Sequence, residues 1–205
     1  MAYFGYIQSM KQVLRKMPHP PSFLEIGLDR GVTFIPLVVS LCRNREKFCA
    51  VGVDIIVQEQ LKLTLQNIDY SSGQEVLLHE MNSLDFLPLL VEQHAKFDLI
   101  LLDGDHNYYT VSRELKLITQ LVSPHSIVFV DDYSGRHATS DMWYAERPGY
   151  ERATNATMPV DTDKHGVKAA VDDFVAANAG WKMLGPHVGE PVVLCNKMLN
   201  ITLGA

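Results

Sequence analysis

Apolar and polar positions along the chain alternate between two rhythms. Tyr6 to Met17 places Ile7, Met10, Val13 and Leu14 at helical spacing, and Pro18, Pro20 and Pro21 then stop the helix. Phe23 to Ile26 is a short continuous apolar run of the kind that forms a buried strand. It leads through Gly27-Leu28-Asp29-Arg30-Gly31 into an apolar helix from Thr33 to Cys42, with Pro36 in the first turn, where a missing N–H is tolerated. The same strand-then-helix unit recurs. Phe48 to Val53 ends in Asp54, and a helix marked by Leu61, Leu65 and Ile68 follows. Val76 to Glu80 leads through a polar turn at Asn82-Ser83 into a helix from Phe86 to His94. Phe97 to Leu102 ends in Asp103, and the next helix shows an apolar stripe of Val111, Leu115, Ile118 and Val122. Ser126 to Val130 ends in Asp131-Asp132. Gly166 to Ala177 is helical, with Val167, Ala170, Val171 and Phe174 on one face. Trp181 to Leu184 and Val192 to Cys195 read as two strands joined by a Gly/Pro turn.

Strands alternating with helices predict an α/β, Rossmann-like sheet, mostly parallel, with helices on both faces and an antiparallel hairpin at the C-terminal edge. Residues 1–205 read as one domain, with residues 1–17 as an N-terminal helix. Residues 133–165 are polar, aromatic and irregular, too long for a plain connection, and read as a lid or substrate loop.

Composition narrows the partners. Hydrophobic residues make up 47% and charged residues 20%, as expected for a soluble globular chain. No apolar run has the length of a membrane helix, and Met1 to Tyr6 lacks a signal-peptide layout. Cys42, Cys49 and Cys195 form no paired motif and read as reduced, buried thiols, so a cytoplasmic location is expected. The net charge of -6, without a basic run, argues against nucleic acid and for a small-molecule partner. The N-terminal helix and the edge hairpin both offer surfaces for a homodimer.

In an open α/β sheet ligands bind at the carboxyl ends of the strands, and here those ends carry the polar residues. Glu25-x-Gly27-x-x-x-Gly31 makes a tight strand-to-helix turn whose glycines admit close backbone approach. Asp54 stands where a carboxylate can accept the hydroxyls of a ribose, and Asn82-Ser83 where an adenine edge would lie. A dinucleotide fold would want glycine at Asp29, because a carboxylate repels a pyrophosphate. A cationic sulfonium ligand tolerates acids, which favours S-adenosylmethionine (SAM) over NAD. The fourth and fifth strands end in Asp103-Gly104-Asp105-His106 and Asp131-Asp132-Tyr133. These ends should be neighbours, and that many carboxylates together call for a proton or a hard divalent cation such as Mg²⁺. A cation lowers the pKa of a bound hydroxyl, and His106 is suited to remove its proton. Plainer roles stand beside these. Asp131-Asp132 could cap a turn, Asp105 could cap the helix starting near Asn107, and His106 could be an ordinary helix N-terminal residue. Trp143, Tyr144 and Tyr150 could stack on an acceptor or pin their loop.

Glu25-Ile26-Gly27-Leu28-Asp29-Arg30-Gly31, with Asp54 after the second strand, resembles motif I and the ribose-binding acid of class I SAM-dependent methyltransferases. The Asp103-to-His106 and Asp131-to-Tyr133 segments, and His165 to Phe174, resemble the metal-dependent O-methyltransferases of the macrocin type. The resemblance runs over roughly 21–197. It implies cofactor binding by Glu25, Gly27, Gly31, Thr33, Asp54, Asn82, Ser83 and Asp103. It implies metal binding by Asp103, Asp131 and Asp132, and catalysis by His106 with Asp103. The expected enzyme is a SAM-dependent, Mg²⁺-dependent O-methyltransferase acting on a hydroxylated sugar or natural product. The alternatives are a metal-independent SAM methyltransferase and a non-catalytic SAM- or nucleoside-binding module.

Overall fold

The structure is a computed structural model that describes residues 2–186 and 191–197. Its elements run α1 (Ala2–Lys16), β1 (Ser22–Ile26), α2 (Phe34–Asn44), β2 (Phe48–Asp54), α3 (Glu59–Gln66), β3 (Gln74–Glu80), α4 (Ser83–Glu92), β4 (Phe97–Leu102), α5 (Tyr108–Ile118), β5 (Val122–Val130), α6 (Gly166–Ala177), β6 (Trp181–Pro186) and β7 (Val192–Asn196). The strands form one sheet in the order β3-β2-β1-β4-β5-β7-β6. Neighbours from β3 to β5 pair in parallel, and β7 runs antiparallel to both β5 and β6. The fold is the expected Rossmann-like one, and among the described residues no helix is long and apolar enough to cross a membrane.

Period-two alternation explains why helices cover both faces. Phe23, Leu99, Leu101, Ile127 and Phe129 point to one side, where Met10 and Leu14 of α1, Leu37 and Leu41 of α2 and Leu61 of α3 complete a core. Leu24, Ile26, Ile100, Leu102 and Val128 point to the other, against Leu87 of α4, Leu115 of α5 and Val171 of α6. A strand apolar on both faces must be central, and all six residues of β4 are buried.

Register then levels the strand ends. Ile26 lies beside both Val53 and Leu102, and Leu102 beside Val130. Gly27, Asp54, Asp103 and Asp131, each one residue further on, therefore share one rim. The ladder continues into that rim: Gly27 N–H donates to the Val53 carbonyl (2.9 Å), Asp103 to Ile26 (2.8 Å), Asp131 to Leu102 (2.9 Å) and Met81 to Asp54 (2.9 Å). The chain order reverses between β1 and β4, so the crevice opens at Gly27 and Asp103.

Three details depart from the periodic reading. Val122 does not extend the stripe of α5; the chain turns at Leu121, and Val122 starts β5 opposite Phe97. The C-terminal hairpin lies at the edge with its later strand inside, because β7 takes the place beside β5. Residues 187–190 of the Gly/Pro turn lie outside the described residues. Asn82 and Ser83 are not a free turn: Asn82 caps α4, its side-chain oxygen accepting from Leu84 N–H (2.8 Å), and Ser83 is the first helical residue.

The Ser83 hydroxyl donates to Glu114 of α5 (2.6 Å), a fully buried carboxyl whose pKa burial raises to about 8, against the opposing effect of this hydrogen bond. The unfolded chain ionises Glu114 near the ordinary glutamate value of 4.5, while the folded chain keeps it protonated to about 8. Its contribution to stability is thus fully present below pH 4.5 and is lost as pH rises through 8. Glu114→Gln removes this dependence. Denaturant unfolding should show the variant more stable than wild type at pH 8.5 by a few kcal/mol, at about 1.4 kcal/mol per pKa unit, and little different at pH 5. A difference independent of pH would contradict the raised pKa.

Candidate active site

The turn after β1 is built by backbone conformation. Gly27 has φ of +85°, and a Cβ there would lie 2.0 Å from the Asp103 carbonyl oxygen, so only glycine allows β1 and β4 to meet at this point. Gly31, with φ of +75°, faces the Leu61 and Ile35 side chains and packs the turn against α2 and α3. It lines neither of the two cavities described below. Asp29 occupies the left-handed region (φ 40°), which aspartate tolerates better than most residues. Asp54 holds this turn: its Oδ2 accepts from Leu28 N–H (2.7 Å) and Asp29 N–H (3.1 Å), and its Oδ1 from Ile56 N–H (3.0 Å). Of about four acceptor sites on a carboxylate, one remains, on Oδ1.

Above the rim lies a cavity of about 300 Å³. Of the residues singled out in the sequence, Gly27, Asp54, Asn82, Ser83, Asp103, His106, Asp131 and Asp132 line it. Glu25 and Thr33 line an adjoining recess with Gly27 and Asp103. Thr33 precedes α2 without a side-chain capping bond. Glu25 is 2% exposed, and its Oε2 has no hydrogen-bond partner among the described residues. Burial, and then the charge of Asp54, hold its pKa well above the carboxylate range. Asn82 is engaged at both ends, since its amide donates to the Asn155 carbonyl (2.7 Å) and Thr157 Oγ1 (2.9 Å) while its oxygen caps α4.

The acidic end of the cavity centres on His106. Its Nε2 faces Asp103 Oδ1 at 3.7 Å and its Nδ1 faces Asp132 Oδ2 at 3.6 Å. Donor atoms of Asp103, His106 and Asp131 lie within 4.8 Å of one another, whereas Asp132 stands at the opposite ring nitrogen. Burial, then the charges of Asp131 and Glu25 and a hydrogen bond shared with Asp131, push Asp103 well above its ordinary range. Burial lowers the pKa of His106 to about 4, with Asp132 opposing and His137 and Arg147 assisting. A neutral imidazole flanked by two close carboxylates, one of which cannot ionise freely, is a donor set that fits a hard divalent cation with one nitrogen ligand.

Comparison with known proteins agrees. The family model for a methyltransferase domain matches residues 24–133. The chain belongs to this methyltransferase family. No curated protein sequence matches it. Solved structures share its fold: apo CalS11, a TDP-rhamnose 3'-O-methyltransferase of calicheamicin biosynthesis, is 15% identical, with 94% of this chain and 79% of that chain covered and a TM-score of 0.60. The O-methyltransferase TomG from Streptomyces achromogenes is 19% identical (95% and 79% covered, TM-score 0.57). The mycinamycin-pathway methyltransferase MycE is 15% identical (93% and 48% covered, TM-score 0.55).

In this methyltransferase the segment after β4 is also a docking edge, which periodicity could not reveal. Asp105 does not cap α5; Asn107 does, accepting from Thr110 N–H (2.7 Å). Asp105 instead accepts from Tyr144 N–H (2.8 Å), and burial raises its pKa to about 6 against that bond. His106 accepts at its carbonyl from Met142 N–H (3.0 Å), the Asn107 amide donates to the Met142 carbonyl (3.2 Å), and Tyr108 N–H donates to Asp141 Oδ1 (2.9 Å). Four consecutive residues thus seat residues 141–144. Asp141 also accepts from Gly166 N–H (2.7 Å) and pairs with His165 (2.6 Å), so one carboxylate joins the starts of α5 and α6. Burial opposes its ionisation, but these hydrogen bonds outweigh it and lower its pKa. Tyr144, Arg147 and Tyr150, carried beyond this anchor, line the cavity, as do Arg136 and His137. The two tyrosine rings pack against each other, tilted by 53° with centroids 4.5 Å apart, while Trp143 packs on Tyr109 and pins the segment to the body. An aspartate or arginine in an irregular stretch looks like a solvated charge, so only the aromatics drew notice.

Gly27→Ala should lower stability by on the order of 3 kcal/mol in denaturant unfolding, through strain and clash together; wild-type stability would contradict the close approach. Asp141→Ala should free residues 141–152. Tryptic cleavage after Arg152 should accelerate at least roughly tenfold, the scale of losing several hydrogen bonds. An unchanged rate would show that Asp141 does not hold the segment.

Proposed function

We propose that this methyltransferase transfers the methyl group of SAM to a hydroxyl of a small acceptor, with a divalent cation, Mg²⁺ by preference, held at Asp103 and Asp131 with Asp132 alongside. The observation carrying this reading is that the glycine turn, Asp54 and the Asp103–His106–Asp131 cluster line one cavity. Support comes from the neighbours' descriptions: CalS11 and TomG are O-methyltransferases, TomG is described in complex with SAM, and MycE in complex with Mg and S-adenosylhomocysteine (SAH).

In this reading Gly27 lets the turn approach the methionine end, which Glu25 and Thr33 border, while Gly31 packs the turn against α2 and α3. Asp54 accepts from a ribose hydroxyl with its remaining site. Asn82 and Ser83 wall the adenine end, with the apolar Ile55 and Met81. When bound, a divalent cation supplies Lewis acidity that lowers the pKa of an acceptor hydroxyl. His106, neutral at physiological pH, accepts the hydroxyl proton at Nε2, and Asp132 stabilises the imidazolium from the Nδ1 side. The acceptor oxygen forms a bond to the methyl carbon as the carbon–sulfur bond breaks, leaving SAH and the methyl ether. Holding both reactants in line supplies much of the rate. The His106–Asp132 pair is also complete without a cation, so turnover insensitive to EDTA would favour a metal-independent enzyme.

His106→Ala should cut methyl transfer from labelled SAM by at least about a hundredfold, the scale of a lost general base, while SAH affinity stays within about threefold. Retained turnover would move the base elsewhere. Asp54→Ala should weaken SAH binding at least roughly tenfold, the scale of a charge-assisted hydrogen bond; unchanged affinity would remove Asp54 from the cofactor site.

A further inference from the structure

The cavity holds two arginines that its acidic floor leaves unused. Arg136 and Arg147 line it together with Asp29, Asp54, Asp103, Asp105, Asp131 and Asp132. Among the described residues neither guanidinium forms a hydrogen bond or an ion pair. Five of these six acids have partners elsewhere. Asp54 accepts from backbone N–H groups and Asp105 from Tyr144 N–H, Asp132 faces His106, and Asp103 and Asp131 share a hydrogen bond. Among the described residues no carboxylate of the floor pairs with either arginine.

Both are carried on hydrogen-bonded backbone of the 133–165 segment. Arg136 sits between Gly135, whose N–H donates to the Asp132 carbonyl (3.2 Å), and His137, whose carbonyl accepts from Val167 N–H (3.1 Å). Arg147 donates its N–H to the Tyr144 carbonyl (3.0 Å), accepts at its own carbonyl from Tyr150 N–H (3.2 Å), and carries its guanidinium 5.7 Å from the Tyr144 ring.

A guanidinium is always charged, weakly hydrated and shaped to grip two oxygens of a carboxylate or phosphate. Two of them lining a cavity whose strand ends carry the acids give it both signs of charge: cationic groups and hydroxyls are favoured at the strand ends, anionic oxygens at the arginines. We propose that the methyl acceptor bears an anionic oxygen group, phosphoryl or carboxylate, which Arg136 and Arg147 bind while its hydroxyl reaches His106. This inference rests on the methyltransferase reading above and names the acceptor class for that same cavity.

The test is calorimetry on the whole chain saturated with SAH in EDTA, titrated with glucose 1-phosphate, glucuronate and, as the neutral control, glucose. At least one charged probe should bind tenfold or more tighter than glucose, and the two charged probes distinguish phosphoryl from carboxylate. The Arg136→Gln, Arg147→Gln double variant should lose that preference to within threefold while keeping SAH affinity. The inference is overturned if neither charged probe binds better than glucose, if the preference survives the double substitution, or if SAH affinity falls with it, which would assign the arginines to the cofactor. Failure of the wild-type chain to bind SAH would instead remove the methyltransferase reading itself.

Discussion

The contact on which this structure turns is the approach of Gly27 to Asp103 across β1 and β4. No side chain fits between them, since a Cβ at position 27 would lie 2.0 Å from the Asp103 carbonyl. That approach occurs where the strand order reverses, so the glycine turn and the acidic cluster share one rim instead of facing separate crevices. Asp103 consequently borders both the recess of Glu25 and Thr33 and the larger cavity of His106 and Asp131. A cofactor bound along the turn would thus end beside the cluster of Asp103, His106 and Asp131.

Charge sets the second constraint. Asp103, Asp131 and Asp132 are brought together by strand register, an arrangement that burial makes unfavourable for separate carboxylates. The fold bears this because the surrounding backbone is heavily bonded: the sheet ladder runs past the strand ends, and residues 105–108 are pinned to residues 141–144. Electrostatic strain concentrated at a rigid rim supports the cation site proposed above. The same pinning ties the 133–165 connection to the reaction centre, since Asp105 and His106 each hold one residue of it.

Much of this was legible in the chain because the features that matter lie at strand ends. Apolar runs located β1, β2, β4 and β5, and the polar residues directly after them, Gly27, Asp54, Asp103 and Asp131, fell on one rim as a parallel sheet requires. The reading failed where local pattern and tertiary role differ. Val122 fits a helical stripe but begins β5, because the chain turns at Leu121. Asp105 looks like a cap, yet Asn107 is better placed and Asp105 turns to Tyr144. Asn82 lines the cavity as read, but its hydrogen bonds to α4 and to residues 155–157 could not be seen in the sequence. Arg136, Asp141 and Arg147 carry no periodic signal, so only their spatial neighbours reveal what they do.

The central claim is that one cavity at these strand ends receives SAM beside the acidic cluster. Calorimetric titration of SAH into the wild-type protein, first with Mg²⁺ and then with EDTA, tests it most directly. One-to-one binding under both conditions is the predicted result, because the glycine turn and Asp54 are formed without a cation. No binding under either condition would contradict the account.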